Sequence, residues 1–417
     1  MIFTFRNALL LVILLALAGA TQADYHDVVF CGELAESDCA LLKVSHENAA
    51  QKISGTADLN LDLFWSVPEL EPFKPGFALE VQVIWNSDLR DVEMLDLTTI
   101  YTWEDDEELL TMIADVLSRT STWITVSLNL PPEMQGFVEE EIPEAYFSGA
   151  DLLEVRLLEG DVYLDLSGLA SLAPNEIPRG WFGFNVMDVL KAAQARNVLP
   201  AENESDLGTI AAREESLANL EEMVAFWTDP AFLETFVAIE RLPDEMITGQ
   251  TAAVFKTRLD LPAMFLSDRL REVLMASADA AEGIDIEGND VSGTVTLMAG
   301  MLEWAAILVA GIDIEALHIL DVKEEVPLRQ EVHLAWDLSA LEATLGSLTG
   351  AQETDSEAGP ESDSQTDVSL DTVTVYSYPD EEVPIPVPEN AFFLPPGLIQ
   401  VAQDALGRQD FADPDAA

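Results

Sequence analysis

The chain has 417 residues, of which 77 are acidic and 19 basic, and its formal net charge is −58. Such a charge repels nucleic acid and anionic lipid surfaces, so the composition excludes both as predicted partners. Hydrophobic residues make up 49% of the chain, which is enough for a substantial buried core. The acids are spread along the sequence, a pattern typical of a highly solvated surface.

The first residues, MIFTFRNALLLVILLALAGATQAD, have the pattern of a secretory signal peptide. Arg6 precedes an apolar core at 8–18 that is shorter than the roughly 20 apolar residues of a membrane span. We assign 1–23 as the signal peptide, and an uncleaved signal anchor is the alternative. The sequence therefore predicts an exported protein, periplasmic or extracellular, with no transmembrane segment after signal removal.

The two cysteines, Cys31 and Cys39, lie close together in an N-terminal segment assigned to 24–45. In an oxidising compartment, a lone pair at this spacing most simply forms one local disulfide. A redox or metal role is less favoured, because no C-x-x-C spacing is present and only His26 and His46 are nearby. We predict an intramolecular disulfide.

Segments in which apolar and polar residues alternate predict β-strands along the whole chain. In the segment LLEVRLLEGDVYLDLSGL, two such strands meet at a turn, which leaves one face apolar and the other in water. The apolar face must be covered by helices or by a ligand. The predicted strand segments are 56–67, 77–85, 122–130, 152–169, 252–261, 325–341 and 367–388.

Helical segments interrupt the strands. Residues 105–120 carry acids at the start and a base at the end, which matches the helix dipole. Residues 208–242 predict one or two helices, which Pro230 would split. A short helix is expected at 267–278 with Ser267 as its cap.

Two further segments are set apart by composition. Residues 293–312 are the most apolar internal run, and we predict a strand edge followed by a buried helix. A membrane span is disfavoured there because Glu303 lies at the centre. Residues 345–367 are acidic and nearly free of apolar side chains, so we predict a disordered surface insertion, and a flexible tail at 396–417.

No enzyme motif is present: the sequence lacks H-E-x-x-H, G-x-S-x-G, a P-loop and the dinucleotide-binding glycines. The segment DIEGND at 285–290 lacks the spacing of a calcium loop and is better explained as a turn. We therefore predict that the protein is not an enzyme and holds no catalytic residue, metal or cofactor. A glycosidase with a carboxylate pair stands as a third, weaker hypothesis.

Several helix and strand segments follow one another in a recognisable order along most of the chain. A short helix runs into a long strand in ALLKVSHENAAQKISGTADLNLDLFW, and later segments are EGDVYLDLSGL, RGWFGFNVMDVL, LPDEMITGQTAAVFKTRLDLPAMF, EVPLRQEVHLAWDL and TVTVYSYPDEEVPIPVPENA. Over roughly 40–395 this order resembles the LppX-like branch of the LolA lipoprotein-carrier superfamily of bacterial extracytoplasmic proteins. The chain departs from that family in lacking a lipidation cysteine and in carrying the acidic insertion.

The resemblance implies an α+β fold, in which a strongly curved antiparallel sheet, a half-barrel, wraps around a few helices. That domain would span 46–395, interrupted by the insertion. Known members hold or shuttle acylated lipids. The resemblance therefore implies an exported binding protein with an apolar ligand, a lipid or acyl chain, between sheet and helices, and an envelope protein is a candidate partner.

The candidate ligand-binding residues lie on the apolar sides of the predicted strands: Leu61, Leu63, Val81, Val83, Leu164, Leu166, Leu334 and Trp336. The alternative is that these residues fill a close-packed core. The protein would then be a non-carrying extracytoplasmic structural or interaction domain with the same fold. Sequence patterns do not separate a lined cavity from a filled core, and both hypotheses stay open at this level.

Overall fold

The computed structural model describes the chain in separate ranges. These are 29–65, 76–88, 106–131, 144–147, 149–172, 177–194, 225–247, 249–280, 285–286, 289–290, 300–338, 367–379 and 381–395. The signal peptide, most of the acidic insertion and the C-terminal tail lie outside them. Asp367, assigned to the insertion, is the first residue of a strand, and a helix crosses the predicted domain boundary at residue 46.

A twelve-stranded sheet dominates the described residues, in the order β14-β6-β5-β4-β3-β2-β1-β13-β12-β11-β8-β7. Every neighbouring pair is antiparallel except β14 with β6. A separate two-stranded hairpin is formed by β9 and β10. The strands are β1 Ser54–Trp65, β2 Gly76–Ser87, β3 Thr120–Asn129, β4 Ala150–Leu158, β5 Asp161–Asp165, β6 Trp181–Asn185, β7 Val237–Ile247, β8 Gln250–Leu259, β9 Asp285–Ile286, β10 Asn289–Asp290, β11 Ile312–Asp321, β12 Val326–Asp337, β13 Asp367–Ser377 and β14 Phe392–Phe393.

Short helices accompany the sheet. They are α1 Glu36–Ala50, α2 Asp106–Ser118, α3 Ser167–Leu172, α4 Val186–Gln194, α5 Pro230–Leu233, α6 Leu261–Leu266, α7 Asp268–Ala280 and α8 Leu302–Val309. The predicted cap is confirmed, because the Ser267 hydroxyl accepts a hydrogen bond from the Leu270 backbone N–H at 3.2 Å. The predicted α+β fold with a large, open antiparallel sheet is confirmed, and it is consistent with a curved half-barrel.

The chain from 237 onwards is a strand, where the sequence predicted a helix up to residue 242. Val237 pairs with Leu259 and Ile239 with Thr257 on the neighbouring strand β8. The residues of VAIERL alternate with period two, and the free edge of β8 supplies their hydrogen bonds. That tertiary pairing overrides the helical pattern of the preceding residues.

The apolar run near 300 also differs from its prediction of a buried helix. Helix α8 buries Leu302 and Ala306, but Trp304 is 45% exposed and Leu308 is 45% exposed. The buried residues recur at helical spacing, so one side of α8 packs and the other does not. Among the helices of the described residues, none combines the length and hydropathy that crossing a bilayer requires.

One face of the sheet carries most of its apolar side chains, and we call it the inner face. Residues directly opposite in antiparallel strands share a face, so the register identifies its members. The face runs across the sheet through these residues, one from each of ten neighbouring strands: Phe182, Leu164, Val155, Ile124, Val83, Leu61, Leu370, Leu334, Ile314 and Leu259. All the predicted ligand-binding residues within strands lie on this face.

The opposite, outer face is not left in water at the hairpin. The Arg156 guanidinium lies 4.7 Å from the ring centroids of both Trp123 and Trp181, and it donates a hydrogen bond to the Pro386 carbonyl. Residues 381–395 thereby return to the sheet edge, where they form β14. Tyr163, expected in water, is only 7% exposed because this segment covers it.

Gly55 tests how tightly the first strand pair is packed. A Cβ at this position would lie 2.1 Å from Cζ2 of Trp85, its cross-strand neighbour. We expect Gly55→Ala to displace that indole and to lower the free energy of unfolding by about 1–3 kcal/mol in urea denaturation. Gly300→Ala is the control, since a Cβ there meets no atom within 4 Å. Equal stability of both variants would contradict the packing.

Candidate functional site

Two separate groups of helices cover the inner face. At the hairpin end, α2 and α4 pack against the sheet through Leu117 of α2 and Val186 and Val189 of α4. At the other end, α1 packs through Leu42 against Ala253 of β8 and neighbouring residues. The space between sheet and helices is therefore divided between the two ends of the inner face.

The hairpin end is closely packed. Leu164 is 8% exposed and belongs to a buried cluster with Val155, Val162 and Phe184. The predicted residues Val81, Val83 and Leu166 pack against the same cluster. Helices of the protein itself thus cover the apolar face of this hairpin. Contact of these four residues with a ligand stays a prediction.

The other four predicted residues lie in the middle of the inner face, on β1 and β12, and we call them the central strip. Leu61, Leu63, Leu334 and Trp336 are all half-buried, and none belongs to the core clusters of the described residues. The buried indole Nε1 of Trp336 has no hydrogen-bond partner within the described part of the chain. The sheet joins the central strip to the predicted residues of the hairpin end without bringing the two groups into one cluster.

A cavity of about 310 Å³ lies between α1 and the inner face, at the end opposite the hairpin. We call it the α1 cavity. His46 is exposed at its mouth, and His318 and Thr257 are half-buried in the sheet that forms its floor. Among the described residues, its lining consists of Val29, Phe30, Leu42, His46, Val237, Ile239, Thr257 and His318.

Helix α1 forms one side of this cavity and is held in place from several directions. The disulfide joins Cys39 in the helix to Cys31 before it, which confirms the predicted pairing. Asp38 lies 3.6 Å from the Arg241 guanidinium of β7. Near the other end of the helix, the Asn48 side chain donates to the Glu325 carbonyl at 3.2 Å. The cavity therefore has a fixed wall.

The environment of His318 disfavours its charged form. Burial lowers the pKa of this imidazole, and the nearby His46 lowers that pKa further. The His318 side chain lies on β11 between Phe255 of β8 and Gln330 of β12, and its burial there explains the cost of a charge. Within the described ranges, no group of three His, Cys, Asp or Glu side chains is arranged to hold a metal ion.

Sequence reasoning did not find the α1 cavity. Its lining comes from α1, β7, β8 and β11 and spans residues 29 to 318. The first residues of strand β7 were assigned to a helix, so Val237 and Ile239 were not recognised as residues of the sheet. His318 was not among the candidate residues. The useful signal was the pair of histidines in a chain with only four.

No protein-family model matches the chain, and no curated protein matches it. Among solved structures, LprF from Mycobacterium bovis is similar over 84% of this chain and 96% of its own, with 7% identity and a TM-score of 0.26. A DUF1329 family protein from Desulfovibrio piger covers 81% and 89%, with 6% identity and a TM-score of 0.18. A domain assigned to outer membrane lipoprotein sorting in Vibrio parahaemolyticus covers 88% and 98%, with 10% identity and a TM-score of 0.15. TM-scores this low carry no argument about function.

Substitution by tryptophan distinguishes the packed hairpin end from the central strip. Leu164→Trp adds volume to a filled cluster, so we expect the free energy of unfolding to fall by about 1–3 kcal/mol or more. Leu61→Trp, in the central strip, is expected to cost clearly less. Urea denaturation of both variants measures the difference. A small loss for Leu164→Trp would show free space at the hairpin.

The lowered pKa of His318 predicts a dependence of stability on pH. The unfolded chain takes up a proton at this imidazole near pH 6.5, whereas the folded protein does so only at lower pH. Stability therefore falls as pH drops below about 6.5, by at most about 1.4 kcal/mol per pH unit. The other titrating groups are common to wild type and His318→Gln, so we expect the variant to lose less stability between pH 7.5 and 5.5. Parallel curves from urea denaturation would contradict this.

Proposed function

We propose that the protein is an exported binding protein that holds an apolar ligand, a lipid or acyl chain, between the inner face and the helices. The α1 cavity is the observation that supports this function. Its volume of about 310 Å³ is at the lower end of small-ligand sites, which occupy roughly 300–1,000 Å³. Its apolar lining consists of Val29, Phe30, Leu42, Val237 and Ile239.

The central strip gives a second, independent support. A buried N–H without a partner costs free energy, and such groups call for an explanation in native structures. The Trp336 indole is such a group within the described residues, and it lies among half-buried apolar neighbours. A ligand oxygen on the inner face would supply the acceptor.

The disulfide supports the proposed location. Disulfides persist in oxidising compartments and are rare in the cytosol, and the Cys31–Cys39 bridge follows a signal-like N-terminus. We propose a periplasmic or extracellular protein whose function is binding and not catalysis. Its proposed partners are the apolar ligand and an envelope protein that delivers or receives it.

A second candidate function is a structural or interaction domain with a filled core. The close packing of the hairpin end favours it, since Val155, Leu157 and Val162 are each about 4–5% exposed. The two functions differ in what the native protein carries. Mass spectrometry of organic extracts from the purified protein separates them: a recurring stoichiometric lipid supports the carrier, and none in repeated preparations supports the structural domain.

Filling the α1 cavity tests the proposed function directly. Ile239→Trp places an indole into the cavity, so uptake of a fluorescent fatty-acid probe is expected to fall at least tenfold. Its matched control is Ala238→Trp, because Ala238 precedes Ile239 on β7 and is exposed on the outer face. The control should bind the probe as wild type does. Equal binding by both variants would show that the probe does not occupy this cavity.

A further inference from the structure

We propose that the α1 cavity selects a single-chain carboxylate, of fatty-acid type, whose head lies between His46 and His318. This inference rests on the proposed function and names the ligand class of the same site. The lining of the cavity combines five apolar residues with three polar groups, the Thr257 hydroxyl and two imidazoles. That combination suits an amphiphile with one polar end.

The volume of the cavity matches one short chain. An engineered apolar cavity of about 150 Å³ holds one benzene molecule. A cavity of about 310 Å³ therefore holds roughly twice as many atoms, on the order of a dozen heavy atoms. A medium-length fatty acid such as decanoic acid matches this volume.

The two imidazoles favour an anion over a neutral head. His318 disfavours its own charge, both because it is half-buried and because His46 is near enough to repel a second positive charge. A carboxylate between the rings accepts hydrogen bonds from imidazole N–H groups and offsets that repulsion.

The neighbouring charged side chains are engaged with one another. Arg241 contacts Asp38 and Asp244, and Lys256 on the outer face lies 2.7 Å from Glu315. Arg258 shares the same carboxylate. Among the described residues, the lining contains no carboxylate that would repel an anionic head.

The relative affinity for a fatty acid and for the matching alcohol gives a sharp test. Recognition of the carboxylate predicts that the acid binds more tightly, whereas simple apolar burial predicts that the alcohol does. Burying a carboxylate costs more than burying a hydroxyl, so an apolar hole without recognition prefers the alcohol. We expect the exported full chain, freed of co-purifying lipid, to bind decanoate at least tenfold more tightly than 1-decanol at pH 7. Isothermal titration calorimetry below the micellar concentration measures both affinities.

Histidine variants test whether His46 and His318 cause the preference for decanoate over decanol. His318→Leu and His46→Leu should each reduce the preference for decanoate to below about threefold while decanol still binds. His318→Gln keeps an N–H donor and should retain part of it. His333→Leu is the control, since His333 contacts Asp371 on the outer face and lies outside the cavity. Cooperative urea unfolding verifies that each variant is folded.

Each outcome has one meaning. Equal affinities, or a preference for decanol, overturn the carboxylate inference and leave the proposed function in place. A decanoate preference that survives both leucine variants overturns the role of the histidines. Failure of wild type to bind either compound contradicts the proposed function itself.

Discussion

The rest of the structure depends on one constraint: a sheet of twelve strands has an apolar inner face that must be kept from water. Strands lie about 4.8 Å apart, so a helix about 10 Å wide covers only about two of them. Several separate helices are therefore needed. Helix α1 packs at one end of the inner face, and α2 and α4 pack at the other. Space for a ligand arises where such coverings are divided.

Basic residues are few in this chain, and the structure uses several of them to join elements. Arg241 connects β7 to α1 through Asp38, and it also lies over the Phe255 ring at 5.0 Å. Arg156 connects the hairpin to the returning C-terminal segment. These guanidiniums are largely shielded from solvent and stack on aromatic rings, so they contribute more than exposed ion pairs do. Because acidic residues outnumber basic ones by 77 to 19, most acidic side chains have no basic partner, and we attribute them to the solvated surface.

The fold was largely predictable from the sequence, because the alternation of apolar and polar residues, as in β1 and β2, shows which face of each strand is buried. The filled hairpin was predictable only as one of two alternatives, since Leu164 alternates in the same way whether helix or ligand covers it. Strand β7 was missed because VAIERL becomes a strand only beside β8. The α1 cavity was missed for the same reason: His46 and His318 are adjacent only after folding.

Side-chain size differs between the two ends of the inner face. At the hairpin end, large residues meet from both sides, with Leu117 of α2 against Phe184 and its neighbours. At the α1 end, the buried residues of the helix include Ser45, at 0% exposure, and Ala49, at 4%. The sheet below is built partly from small residues too, such as Ala253. Small side chains let the helix and the sheet approach closely at these positions, and none of the three lines the α1 cavity, which is bordered by larger residues such as Leu42 and Ile239. The α1 cavity therefore lies beside the closely packed contact of helix and sheet, where those larger residues border a gap instead of filling it.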